Sequence, residues 1–165
     1  MIALLVMALA ASGVIVWFQP QKLFIDQRVD EAPPTAPGMA AGDGTTPTRQ
    51  GRREPVTLAA GRFRSLGHAT SGRAAVLELA DGRRFLRLDD LHTRNGPDLF
   101  VYLSTTAADG PRDGFDDDFV SLGRLKANQG NQNYELAADL ALDRYRSVVI
   151  WCRRFTYAFG AAPLG

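Results

Sequence analysis

SVVIWCRRFTYAFGAAPL, residues 147–164, is the stretch on which the fold turns. Valine, isoleucine, tryptophan, phenylalanine and tyrosine crowd it, the residue types that suit a pleated, half-buried surface. Its side chains sort by twos, as a strand requires, and not by a helical stripe. Val148, Ile150 and Cys152 have one parity, and Phe155, Tyr157 and Phe159 the other. Two arrangements satisfy this. Either Trp151 joins the three aromatics on one continuous face, or Arg153-Arg154 marks a bulge or turn that resets the parity. The second arrangement brings Cys152 and the aromatic row to the same buried side.

Similar short apolar runs, separated by turn signals, recur upstream. Residues 75–79 and 85–88 flank Asp81-Gly82, a two-residue hairpin signal. Leu77 and Leu79 then face one way and Glu78 the other. Asn95-Gly96-Pro97 forms the next turn and LFVYLS follows, with Leu99, Val101 and Leu103 on one face and Phe100 and Tyr102 on the other. Shorter strands are expected at residues 119–122 and 134–136. The pattern predicts one all-β domain over residues 56–165, an antiparallel β-sandwich of about seven to nine strands. About 110 residues are enough for one modest core.

Ahead of this domain the composition changes twice. Residues 2–18 carry no charged side chain and are mostly apolar, ending in Trp17 and Phe18. Seventeen residues make about 26 Å of helix, slightly under a bilayer's hydrocarbon thickness. Aromatic rings at the end of such a run favour the membrane interface. No basic residue precedes the run, and Ala8-Leu9-Ala10, its best small-x-small cleavage pattern, falls too early inside it. Residues 1–19 therefore read as an uncleaved N-terminal transmembrane anchor, with the membrane as its partner through residues 2–18. Lys22 and Arg28 on the C-terminal flank, taken alone, would place the domain on the cytoplasmic side. Residues 20–55 read as a linker. EAPPTAPGMAAGDGTTPTRQGRREP, residues 31–55, has no aromatic or β-branched aliphatic residue. Such a segment buries too little apolar surface to offset its chain entropy, and a disordered tether is expected.

Charge excludes one class of function. Nineteen basic against eighteen acidic residues leave a net charge of +1, so no general field attracts nucleic acid. No nucleophile elbow, phosphate-binding glycine loop or metalloprotease motif is present, and a hydrolase or kinase reading has nothing to rest on. The domain has two histidines, His68 and His92, and the chain's single cysteine, Cys152, so no intramolecular disulfide can form. Two His and one Cys on a β-sandwich suggest blue copper. Against this, all three methionines (Met1, Met7, Met39) lie outside the domain and no His follows Cys152. Haem through His/Cys or His/His ligation is compatible with the composition, though no C-x-x-C-H is present. Four zinc ligands at recognisable spacing are missing. DGPRDGFDDDF, with Asp109, Asp113, Asp116, Asp117 and Asp118, offers oxygen ligands for calcium without EF-hand spacing, and reads better as a solvated acidic loop. Cys152 itself reads as either a buried small hydrophobe or a working thiol. Arg153 beside it in a strand points to the opposite face and would not sit over the sulfur.

Four segments together resemble the DM-thirteen (DM13) electron-transfer domain family, found beside DOMON-type domains and in extracytoplasmic bacterial proteins. They are GRFRSLGHATSGRAAVLEL, LRLDDLHTRNGPDLFVYLS, FVSLGRLKANQGNQNYEL and YRSVVIWCRRFTYAFGAAPL, in order over nearly all of residues 58–164. The resemblance implies a compact β-sandwich, an extracytoplasmic location and a proposed role in electron transfer. It also implies that Cys152, in VIWC, is the family's cysteine, acting as a bare thiol or as a ligand to a prosthetic group such as haem. His68, in GHATSG, is its most plausible partner or fellow ligand. Gly96, Pro97 and Asp98 match the GPDL turn, and Leu125-Lys126 and Asn133-Tyr134 the LK and NY positions. Ala137 departs from the family, which often has proline there. Turn geometry accounts for the glycines.

Two functional readings follow. One is a membrane-tethered extracytoplasmic redox domain working through Cys152 with His68 as partner, with a haem or redox metal compatible but not required and a redox or envelope protein as partner. The other is a non-catalytic interaction module on a tether, binding a partner protein or envelope carbohydrate, with Cys152 purely structural.

Overall fold

The computed structural model describes residues 26–36 and 54–165. Ten strands among them form two five-stranded sheets. The first holds β1 (Arg28–Asp30), β8 (Gln129–Leu136), β5 (Arg84–Thr93), β4 (Thr70–Glu78) and β2 (Val56–Arg62), in that spatial order. The second holds β3 (Arg64–Ser65), β10 (Tyr157–Pro163), β9 (Ser147–Cys152), β6 (Leu99–Ser104) and β7 (Phe119–Arg124). No α-helix occurs among the described residues, and none of their helical segments is long and apolar enough to cross a membrane. The expected anchor, residues 1–19, lies outside the described residues, as do residues 20–25 and 37–53 of the expected linker.

Nine of the ten strands come from residues 56–165. The tenth, β1, comes from the stretch that composition assigns to the linker. It runs parallel to β8, with Arg28 opposite Gln129 and Asp30 opposite Asn131, where the other ladders are antiparallel. Polar groups hold it. The backbone of Glu31 donates to Asn131 O at 2.9 Å, its carboxylate lies 2.7 Å from Lys126 Nζ, and its carbonyl accepts from the buried Arg87 guanidinium at 2.7 Å. Composition could not show this, because the attachment depends on which polar groups the folded sheet presents and not on apolar burial.

The hairpin at Asp81-Gly82 forms, but it closes one residue wider than a two-residue turn. Leu79 N–H donates to Arg83 O, and Gly82 takes a left-handed φ of 83°. β4 sends Ala74 and Val76, not Leu77, into the core, because the second sheet covers that parity. On β6 the expected division holds: Leu99, Val101 and Leu103 face the core between the sheets, while Phe100 and Tyr102 face outward.

That outward face is not solvated. Residues 105–118 fold back across it and place Phe115, fully buried, against Phe100, Tyr102, Val149 and Trp151. The cover is pinned by backbone and hydroxyl bonds: Thr106 Oγ1 to Gly114 O at 2.7 Å, Ser147 Oγ to Thr106 O at 2.7 Å, and Ala158 N to Arg112 O at 2.6 Å. The aspartates of the loop point away from this cluster, and Asp118 pairs with Arg144 at 3.0 Å. Among the described residues no three His, Cys, Asp or Glu side chains converge as metal ligands, and the acidic loop serves as a cover.

A buried polar knot closes the edge of the core. Tyr134 donates to Gln132 Oε1 at 2.8 Å and accepts from Lys126 N at 3.1 Å, and Gln132 donates to Ala127 O at 2.7 Å. Burial pushes the Tyr134 phenol from 10.0 up to about 12. The folded chain therefore keeps this proton after the unfolded chain has lost it, and stability present below pH 10 drains as pH rises toward 12. We expect about 3 kcal/mol of alkaline destabilisation from this group at most, absent in Tyr134→Phe, read as the pH dependence of urea midpoints. Phe115→Ala should cost about 3–5 kcal/mol by the same measurement, whereas Asp116→Asn and Asp117→Asn should stay within about 0.5 kcal/mol.

Candidate functional site

The end of the sandwich where β9 turns into β10 collects the residues that the sequence singled out. The strands are joined by a turn over residues 153–156, with Thr156 in a left-handed φ of 50°. This turn resets the parity. Cys152 sits opposite Tyr157 across the hairpin and opposite Leu99 on β6. A further irregularity between Ala158 and Gly160 sends Phe159 inward as well. Cys152, Tyr157 and Phe159 therefore share the core side, Trp151 lies on the other face, and Phe155 stands exposed at the hairpin tip.

Cys152 is fully buried. Its neighbours in the core include Leu99, Ile150 and Phe159, and its thiol makes no hydrogen bond with the described residues. Arg153 is turned away, its guanidinium 4.6 Å from the Phe100 ring on the opposite face. Reactive cysteines occupy electropositive, partly exposed surroundings, and this one does not. Thiol–disulfide exchange needs a partner sulfur to reach the attacking one, and no such approach is open. A haem or metal held through this sulfur does not fit either, because apolar side chains enclose it and no ligand cluster among the described residues converges on it. Two open clefts of about 550 and 470 Å³ lie along Arg84, and neither Cys152 nor His68 lines them.

His68, in the connection between β3 and β4, reaches the same end. Its Nε2 lies 2.8 Å from Tyr157 Oη, and its ring meets Phe159 edge-on at 4.2 Å between centroids. Burial, and secondarily the charge of Arg94, holds its pKa below the ordinary histidine value of 6.5, so the imidazole is neutral at pH 7. His92, by contrast, is exposed on β5, and the two histidines and Cys152 do not form a copper site. The rings of Phe155, Tyr157 and Phe159 follow one another with centroids 6.3 and 5.5 Å apart. Arg112, from the cover loop, lies 5.5 Å from the Tyr157 ring.

Two glycines make this packing possible by their size. A Cβ on Gly67 would lie 2.6 Å from the Tyr157 ring and 2.8 Å from Ala158 O. A Cβ on Gly96 would lie 2.9 Å from both Phe159 Cζ and Leu99 Cδ2. Turn geometry alone therefore does not account for them. The GPDL turn is tied in directly, since Asp98 O accepts from Arg153 N at 3.0 Å, and Leu125 N donates to Leu99 O at 2.9 Å.

Over residues 62–164 the chain matches the family described as electron transfer DM13. The chain belongs to this family. No curated protein and no solved structure matches it. The GH, GPDL, LK and VIWC pieces of the DM13 domain, scattered over the sequence, are thus neighbours in space around one end of the sandwich. Tyr157 is the residue that sequence reasoning placed in an aromatic row but did not assign to the site. Its signal was the alternate spacing with Phe159 across a turn from Cys152.

Gly67→Ala should displace the Tyr157 ring or the Ala158 backbone and cost about 1–3 kcal/mol. Thermal denaturation monitored by tyrosine fluorescence checks this, and a neutral result would show that the ring is not confined there.

Proposed function

We propose that this DM13 domain is an extracytoplasmic electron-transfer module tethered to the membrane through residues 2–18, exchanging electrons at the β9–β10 hairpin with a redox protein of the envelope. The family membership supports the electron-transfer role. One observation carries the choice of site: Cys152 lies directly across the hairpin from Tyr157, within an aromatic row that begins at the exposed Phe155. Burial of the sulfur bars nucleophilic chemistry but not electron transfer, since an electron tunnels to a group that no molecule can touch. The apolar run ending in Trp17 and Phe18 supports the tether.

A second reading has its own support. A fully enclosed cysteine without a polar partner is what an interaction module with a structural thiol would have. The two readings separate on Cys152→Ala and Cys152→Ser in the full chain, solubilised in detergent. In the electron-transfer reading, both variants fold and lose the redox wave that the parent shows in film voltammetry and in reduced-minus-oxidised absorption. In the module reading, Cys152→Ser costs about 1–3 kcal/mol through its buried hydroxyl, and parent and variants are equally redox-silent.

A further inference from the structure

The hydrogen bond between Tyr157 Oη and His68 Nε2 couples the one phenol of the aromatic row to a base. A phenol that loses an electron becomes a strong acid, so its oxidation is easy only where its proton can leave at the same time. Tyr157 meets that condition through the 2.8 Å contact with His68. The two buried phenols, Tyr102 and Tyr134, do not meet a histidine. Tyr134 donates to an amide oxygen, and Tyr102 stacks on Phe119 and Trp151, with burial holding its proton on more tightly than usual. The pair is also reachable: both residues are half-buried, and Phe155, stacked on Tyr157, is 56% exposed.

We propose that Tyr157 and His68 form a proton-coupled redox pair, the site where the domain gives one electron to an oxidised one-electron carrier and recovers it. In the forward step the Tyr157 O–H bond breaks. The electron passes to the carrier, the proton moves to Nε2 of His68, and a neutral tyrosyl radical faces an imidazolium. In the return step a reduced carrier supplies one electron and His68 returns the proton, which restores phenol and imidazole. The imidazole accepts with its own ring proton on Nδ1. Its pKa, held down by burial and by Arg94, keeps it free to accept at pH 7. Two cations face the pair, Arg94 beside His68 and Arg112 over the Tyr157 ring. Both raise the potential at which the pair gives up its electron, because the oxidised pair carries one positive charge.

This inference rests on the electron-transfer reading, and the experiment keeps the two apart. Full-length protein in detergent is oxidised by flash-generated tris(bipyridyl)ruthenium(III), with persulfate as quencher, and radicals are trapped for electron paramagnetic resonance. The expected result is a tyrosyl signal in the parent that Tyr157→Phe abolishes. His68→Gln, which keeps a hydrogen-bonding side chain but removes the base, should slow radical formation on the order of 10²-fold. The parent rate should fall as pH drops through the His68 titration and lose its solvent deuterium effect in His68→Gln. A parent signal unchanged in Tyr157→Phe, or a rate and pH profile unchanged in His68→Gln, overturns the pair. If electron exchange then still depends on Cys152, the electron-transfer reading survives without it. A parent that gives no protein radical overturns the pair, and a parent that is also silent in voltammetry overturns the electron-transfer reading with it.

Discussion

β9 is buried at every position from Ser147 to Cys152, on both of its faces, and the rest of the molecule is arranged to cover it. A strand that is apolar on alternate residues needs one packed sheet. A strand with Val148, Ile150 and Cys152 on one side and Val149 and Trp151 on the other needs two covers. The first sheet supplies one. The second is a loop whose composition looks solvated, and Phe115 is what makes it work: it joins the buried cluster of Phe100, Tyr102 and Trp151 while the aspartates around it stay in water. A protein of this size has only one modest core between its sheets, so a satellite cluster under a long connection adds burial without adding a layer.

The polar groups that burial brings inside are matched with partners. Thr70 and Thr93 share a hydroxyl hydrogen bond at 2.9 Å, Asn128 donates to Thr93 O and to Asp26, and Gln132 and Tyr134 satisfy each other and the neighbouring backbone. Arg87, nearly fully buried, is matched by Asp89, Asn133 and the carbonyl of Glu31. Much of this accounting runs through residues 26–31, so this part of the expected linker belongs to the domain's polar edge. An unpaired guanidinium in that position would be costly, which gives β1 a structural reason to stay in place.

At the hairpin end, close packing and chemistry meet. Glycines at 67 and 96 let aromatic rings lie against the backbone, and this brings Tyr157 to His68 while Phe159 seals the region beside Cys152. The result divides accessibility: the sulfur is enclosed, whereas the phenol and imidazole remain within reach of the surface. A chemistry that needs contact with the sulfur is therefore disfavoured, and one that moves only electrons and a single proton is not.

The sequence by itself determined the class of fold, most of the strands, the face assignment of β6 and the residues of the site's end, because alternation and turn chemistry are local and survive without knowledge of partners. His68 and Cys152 were legible as a pair only through resemblance. What only the tertiary structure decided is which parity faces a cover, as β4 shows with Ala74 and Val76 inward in place of Leu77. It also decided that residues 28–30 add to a sheet, that an acidic loop hides Phe115, and that Tyr157 bonds His68 across 89 positions of chain. Each of these depends on surfaces made by segments far apart in sequence. A strand's period tells which side chains share a face, but only the assembled sandwich tells what that face meets.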